Sequence, residues 1–281
     1  MHLEEVIMKI EVINAWKEAE NYMNAVQNGQ DKVQAWEEIV ISPYWDKLCC
    51  YAPFDLGERK PKAITNIEKL KEQIAVLMLL DLQELRKEFE RVTEILPNYD
   101  DDPITVALFP SDADNVTVNE QQNGVVGTSL FGNLFIQVNP LVEGFEAWIR
   151  YVFAHEYHHT VWGNYWYMLN GGSLENKFID SLVIDGEADS FALELYPSLR
   201  PAWVFGISDR EKNCLWEKHY KDIVYATDVD YEKYMFGSEE LGIPWCAGYA
   251  IGYMLVQAYL KKNETNVIRI LEKKPEELIC I

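Results

Sequence analysis

The chain has 281 residues, of which 48% are hydrophobic and 13% aromatic. That is ample for the core of one large domain or two smaller ones and unlike a disordered protein. Acids outnumber bases, 46 Asp and Glu to 25 Lys and Arg, for a formal charge of −21 at pH 7. Such a surface repels phosphate backbones and anionic lipid, which argues against nucleic-acid and membrane partners and reads as solvation.

Residues 1–20 carry acids from Glu4 onward and no unbroken apolar core, so no secretory leader is expected. No run of 18 or more apolar residues suggests a membrane span. The five cysteines, Cys49, Cys50, Cys214, Cys246 and Cys280, are odd in number and lack the spacing of a zinc knuckle or CxxC pair. Reduced thiols in a cytoplasmic protein are expected, and the sequons at Asn115 and Asn263 then carry no weight.

Residues 11–98 are rich in Glu, Lys, Leu and Ala at helical spacing, and LPNYDDDP closes that region with turn signals. The division expected is a helical N-terminal region, 1–99, and a second domain, 100–281. There ITVALFP reads as a strand, NGVVGTSLFGN as a glycine-punctuated turn region and LFIQVNP as a second strand. Helical periodicity returns from Glu143 to Trp162 and again from about Leu174 to Tyr196. Segregated helices and strands predict an α+β fold. The acidic stretches Asp100-Asp101-Asp102 and Asp112-Ala113-Asp114 lack the spacing of a calcium loop and are read as turns and caps.

The chemistry concentrates on the last two helices. AHEYHHT contains HExxH as His155, Glu156 and His159. Residues four apart stack on one helix face, so both histidines can reach one metal ion, with Glu156 beside its open position as general base. Trp148, Val152, His155, His159 and Trp162 form one stripe, so the histidines project from an otherwise apolar face. A third ligand is needed, and the histidines need orienting partners. On the next helix Phe178, Leu182, Asp185, Asp189 and Ala192 make an apolar stripe interrupted by two carboxylates, costly unless a cation compensates them. Asp180, Glu187, Ser190 and Glu194 fall on a polar stripe expected to face solvent. Helical geometry therefore favours Asp185 and Asp189 for the metal side, although a bridge from both aspartates to a basic neighbour also fits.

HEYHH, followed by Asp185-Gly186-Glu187-Ala188-Asp189-Ser190-Phe191-Ala192, resembles the YjaZ-like predicted zinc-dependent proteases, a branch of the HExxH zincins. In that family the second helix has the form E-G-x-A-E-x-F-A, so both acids here are Asp in place of Glu. The likeness extends upstream to NGVVG and LFIQVNP, the latter similar to the edge strand before the motif helix, and downstream to PWCAGYAIGYMLVQAYL. It covers roughly residues 100–275 and implies a zincin-like metallopeptidase domain. It further implies His155 and His159 as zinc ligands, Glu156 as general base, Asp185 as third ligand and Asp189 as the partner that orients a ligand histidine.

The implied reaction is peptide-bond hydrolysis by a zinc-activated water, with a peptide or protein as substrate. Tyr249, between Gly248 and Gly252, is a candidate oxyanion donor, and a core tyrosine by the plainer reading. His158 either donates to an acid or covers the site. Leu134–Val138 is expected to offer an edge to which an extended peptide adds as a strand. Two other functions remain open: a non-catalytic zinc scaffold or sensor, which would not need Glu156, and an interaction module built on the first hundred residues.

Overall fold

The structure, a computed structural model, describes residues 10–172 and 174–279. Residues 1–9, part of the stretch read for a leader, and Cys280 lie outside them. Among the described residues no helix is long and apolar enough to cross a membrane. The fold is mixed α+β and divides into two compact units, Met1–Val161 and Trp162–Ile281.

The first unit runs β1 (Ile10–Asn14), α1 (Ala19–Gln27), α2 (Lys32–Trp36), α3 (Ser42–Leu48), α4 (Ile67–Leu77), α5 (Leu82–Ile95), β2 (Ile104–Pro110), β3 (Val125–Leu130), β4 (Asn133–Val138) and α6 (Phe145–Gly163). Asp31, Asn66 and Asp81 begin α2, α4 and α5, each side-chain oxygen accepting from N–H groups the first helical turn leaves unpaired. The strands form a four-stranded sheet in the order β1-β2-β4-β3. Its first three members are parallel, and β3 runs antiparallel to β4.

Every residue of β2 is buried, as a strand covered on both faces requires. Ala107, Phe109 and Phe135 share one core cluster with Tyr22, Trp36, Ile41 and Leu48, so α1 to α3 cover that face. Alternation places Leu108, Ile136 and Gly127, which lie in register, on the opposite face. There α6 lies along the sheet. It packs against α5, which also contacts β1: Phe89 and Phe153 stack with centroids 3.9 Å apart, and the Tyr157 hydroxyl donates to the Leu96 carbonyl at 2.8 Å. An aromatic pair of this kind adds about 1 kcal/mol beyond its buried area.

Three expectations change here. The stretch read as helical from residue 11 begins with strand β1, whose partner β2 is distant in sequence and so leaves no local signal. Leu134–Val138 is not an edge: β4 sits between β2 and β3, and the edges among the described residues are β1 and β3. The glycines that made NGVVGTSLFGN look like a turn region bracket a strand instead, with Gly127 in its interior and the reversal confined to Phe131 and Gly132. The acidic stretches do serve as turns: Asp100 accepts from the Asp102 N–H at 3.2 Å and Asp112 from that of Asp114 at 2.9 Å.

In the second unit a wide turn, Asn164–Leu169, precedes α7 (Phe178–Leu195), α8 (Ala202–Phe205), α9 (Asp209–Leu215), α10 (Tyr231–Phe236) and α11 (Ala247–Asn263). Helices α7 and α11 pack backbone to backbone. A Cβ built on Gly186 would stand 2.3 Å from the Gly252 carbonyl oxygen, and one on Gly252 would stand 2.0 Å from that of Leu182. Ser190 reinforces the contact, donating to the Gly186 carbonyl at 2.6 Å and accepting from the Gln257 amide at 2.9 Å.

This packing overturns the expectation of a solvated polar stripe on α7. Asp180, Glu187 and Ser190 are all buried, Glu187 completely, and only Glu194 of that set is exposed. With residues 178–193 buried apart from Ser181 and Ile184, α7 has no solvent side along most of its length, and amphipathic periodicity has nothing to report.

Gly252→Ala tests the α7–α11 contact. Alanine would gain about 1 kcal/mol in helix propensity, but its methyl must displace a backbone carbonyl, and overpacking of that kind costs about 3 kcal/mol. Urea denaturation should therefore show a net loss of about 2 kcal/mol. A variant as stable as the parent would refute the backbone contact.

Candidate functional site

Helix α6 carries the histidine motif, and its two neighbouring faces do different work. Tyr151, Phe153, Ala154, Tyr157 and Val161 are wholly buried and anchor the helix. That anchoring fixes the direction of the other stripes. His155 is buried, His159 half-buried, and their Nε2 atoms stand 3.0 Å apart with the rings nearly perpendicular at 88°. Two nitrogens on one tetrahedral zinc, each about 2.05 Å from it, would lie about 3.3 Å apart. The pair thus converges as two ligands of one ion should. His158, in the same turn, is fully buried.

The adjoining stripe, Val152, Glu156 and Thr160, faces edge strand β3. A Cβ on Gly127 would fall 2.4 Å from Glu156 Cγ, 2.8 Å from its Oε1 and 2.7 Å from Val152 Cγ1. Two residues along the strand, the Ser129 and Thr160 hydroxyls meet at 3.3 Å. The Glu156 carboxyl therefore lies against the outermost strand in the space an absent side chain leaves. Sequence reasoning missed Gly127, although a glycine inside a strand is a known sign of close approach by another group.

In the second unit Asp185 and Asp189 lie one turn apart on α7, 6% and 0% exposed. The indole N–H of Trp203 donates to Asp189 Oδ1 at 3.0 Å, a partner no sequence pattern announced. Glu187, on the far side of the helix, has its carboxyl pushed well above the usual range by complete burial. Cys246 starts α11 with a left-handed backbone, φ 54°. Its thiol is pushed up to about 12, first by burial and then by the charges of Asp185 and Asp189. Tyr249 sits in the first turn of α11, half-buried, its ring 5.8 Å from that of Phe236. Donor types that zinc takes are present in both units, His155 and His159 in the first and Asp185 in the second. Two imidazoles and a carboxylate suit zinc.

No solved structure matches this chain. A relative from Bacillus subtilis (strain 168), named Uncharacterized protein YjfC, is 27% identical over 184 residues. The matched part is 58% of this chain and 56% of the relative, so the chain spans little more than half the relative's length. Residues 82–280, from the start of α5 and including every residue discussed in this section, match a family described as "Predicted Zn-dependent protease (DUF2268)". The chain belongs to that family of predicted zinc-dependent proteases.

Proposed function

We propose that the chain is a zincin-type metallopeptidase, with His155, His159 and Asp185 as zinc ligands and Glu156 as general base. The observation that carries this reading is the pair of imidazole nitrogens 3.0 Å apart on one face of α6, with Glu156 lodged against β3 beside them. Zinc, when bound, polarises a carbonyl and lowers the pKa of a water molecule.

The remaining steps belong to the chain's own groups. Glu156 takes a proton from the attacking water at its carboxylate and delivers it to the departing amide nitrogen. Gly127 holds that carboxylate in place by leaving room for it. The backbone of β3, the outermost strand, offers hydrogen-bonding groups to an extended peptide, which adds to it as a further strand. Asp185 is assigned as the third ligand, and Asp189, which accepts from Trp203, as the partner that orients a ligand histidine. Tyr249 is assigned to the oxyanion. The acidic surface favours neutral or basic substrate segments over acidic ones.

Glu156→Gln should keep about one zinc per chain, since the residue is a proton carrier and not a ligand. Its hydrolysis of a casein or peptide-pool substrate should fall by about two orders of magnitude or more. Zinc loss in the variant would overturn that role, and an inactive parent would favour a zinc scaffold over a peptidase.

Zinc affinity, measured by competition with a chelator, separates the carboxylates of α7. Asp185→Ala should weaken binding more than Asp189→Ala, whose loss should be about tenfold, as for other supporting partners. Glu187→Ala should alter stability more than affinity. The ligand assignment fails if Glu187→Ala releases the metal and Asp185→Ala does not.

Gly127→Ala puts a methyl where the Glu156 side chain lies. We expect kcat to fall at least tenfold with zinc content unchanged, because the histidines are on the neighbouring stripe. Full activity in this variant would mean that contact with β3 does not position the base.

A further inference from the structure

The two-residue turn between β3 and β4 breaks the usual rules of its kind. Both its residues need positive φ, which Asn or Asp followed by Gly supplies at least cost. Here the first is Phe131, at φ 58°, followed by Gly132 at φ 132°. A bulky residue in that region costs about 1–2 kcal/mol, and burial does not repay it, since Phe131 is 40% exposed.

Around the turn the exposed surface is aromatic. The Phe131 ring meets Phe54, 57% exposed, edge to face at 5.2 Å. Tyr51, 38% exposed, closes over Gly132, where a Cβ would be 2.9 Å from its Cδ2. The cluster is held rigidly. Buried Asn133, the first residue of β4, donates to the Lys47 and Leu48 carbonyls at the end of α3, at 3.0 and 3.2 Å, and accepts from the Thr105 N–H at 2.8 Å. The segment carrying Tyr51 and Phe54 is thereby pinned beside the hairpin, and a rigid aromatic surface loses little entropy on binding.

This patch continues the outer edge of β3, which no other described strand pairs with and where the Gly127 carbonyl accepts from the Thr128 hydroxyl at 2.8 Å. In a two-residue hairpin the Leu130 and Asn133 pair exchange hydrogen bonds, so the backbone groups of Gly127 and Ser129 point outward. The outward Ser129 carbonyl already accepts from the exposed Arg59 guanidinium at 3.4 Å. Backbone pairing along the edge therefore runs out near Ser129, and the aromatic cluster takes over about 14 Å beyond Gly127, four positions at strand rise.

We propose that Tyr51, Phe54 and Phe131 form a subsite for a large apolar side chain of the bound peptide, about four residues from the bond cleaved. The proposal rests on the peptidase reading, but binding tests it separately. The probe is a set of fluorescently labelled decapeptides of alternating Thr and Ser, each with one Phe walked along its length. They are titrated into Glu156→Gln by anisotropy, alone and combined with Phe131→Asn, Phe54→Ser or, as a distant exposed control, Leu79→Ser.

Affinity should depend on the position of the Phe. Phe131→Asn and Phe54→Ser should each reduce the best peptide's affinity about tenfold or more, and Leu79→Ser should not. Asn suits positive φ, so Phe131→Asn should melt no lower than its parent, separating lost recognition from lost structure. Equal affinities with and without Phe131 would overturn the subsite. So would sedimentation showing that Phe131 drives self-association of the chain. Position-dependent binding by a chain that cleaves nothing would uphold the subsite while refuting the peptidase.

Discussion

The placement of Glu156 depends on a side chain that is absent. Helix α6 can lie on the outermost strand only because residue 127 has no Cβ to hold it off, and the Glu156 side chain occupies the space. The rest of the first unit serves that contact. The stacked aromatics of α5 and α6 hold the two helices together, and β2, buried along its whole length, lies inside the sheet that α6 covers. A carboxylate held in this way has little freedom left to lose, as the general-base role proposed for Glu156 requires.

The second unit solves a related problem with the same residue type. Asp180, Asp185, Glu187 and Asp189 all lie buried on α7, an arrangement that would normally be expensive. The close meeting of Gly186 with Gly252 lets α11 cover the helix backbone to backbone, leaving the carboxylates flanking that seam. Trp203 gives Asp189 a directed hydrogen bond, and Glu187 meets its burial through a carboxyl pushed toward the neutral form. Acids kept at this cost are easiest to understand where a cation is to be held. That is also what membership in a predicted zinc-dependent protease family leads one to expect.

The exposed aromatics at the β3–β4 turn complete the logic of the edge. A peptide that pairs with β3 gains backbone hydrogen bonds, but these read no sequence. Selectivity has to come from side-chain pockets, and a rigid aromatic cluster at the end of the pairing track is a low-entropy means of providing one.

The sequence by itself determined the α+β class, the helices that hold the HExxH motif and the two aspartates, and the convergence of His155 and His159, because these rest on local rules. Helical pitch places residues four apart on one face in any surroundings. The burial of Asp185 and Asp189 was legible for the same reason, since they interrupt an apolar stripe. Tertiary structure alone decided the rest. Pairing β1 with β2 joins segments far apart in the chain, and the choice of β3 over β4 as edge depends on sheet order, which no strand encodes alone. Glu187 looked solvated because periodicity can assign a polar stripe to water only when one side of the helix is left uncovered. Here α7 is buried on nearly every side, and its exposure is set by neighbours the local sequence does not contain.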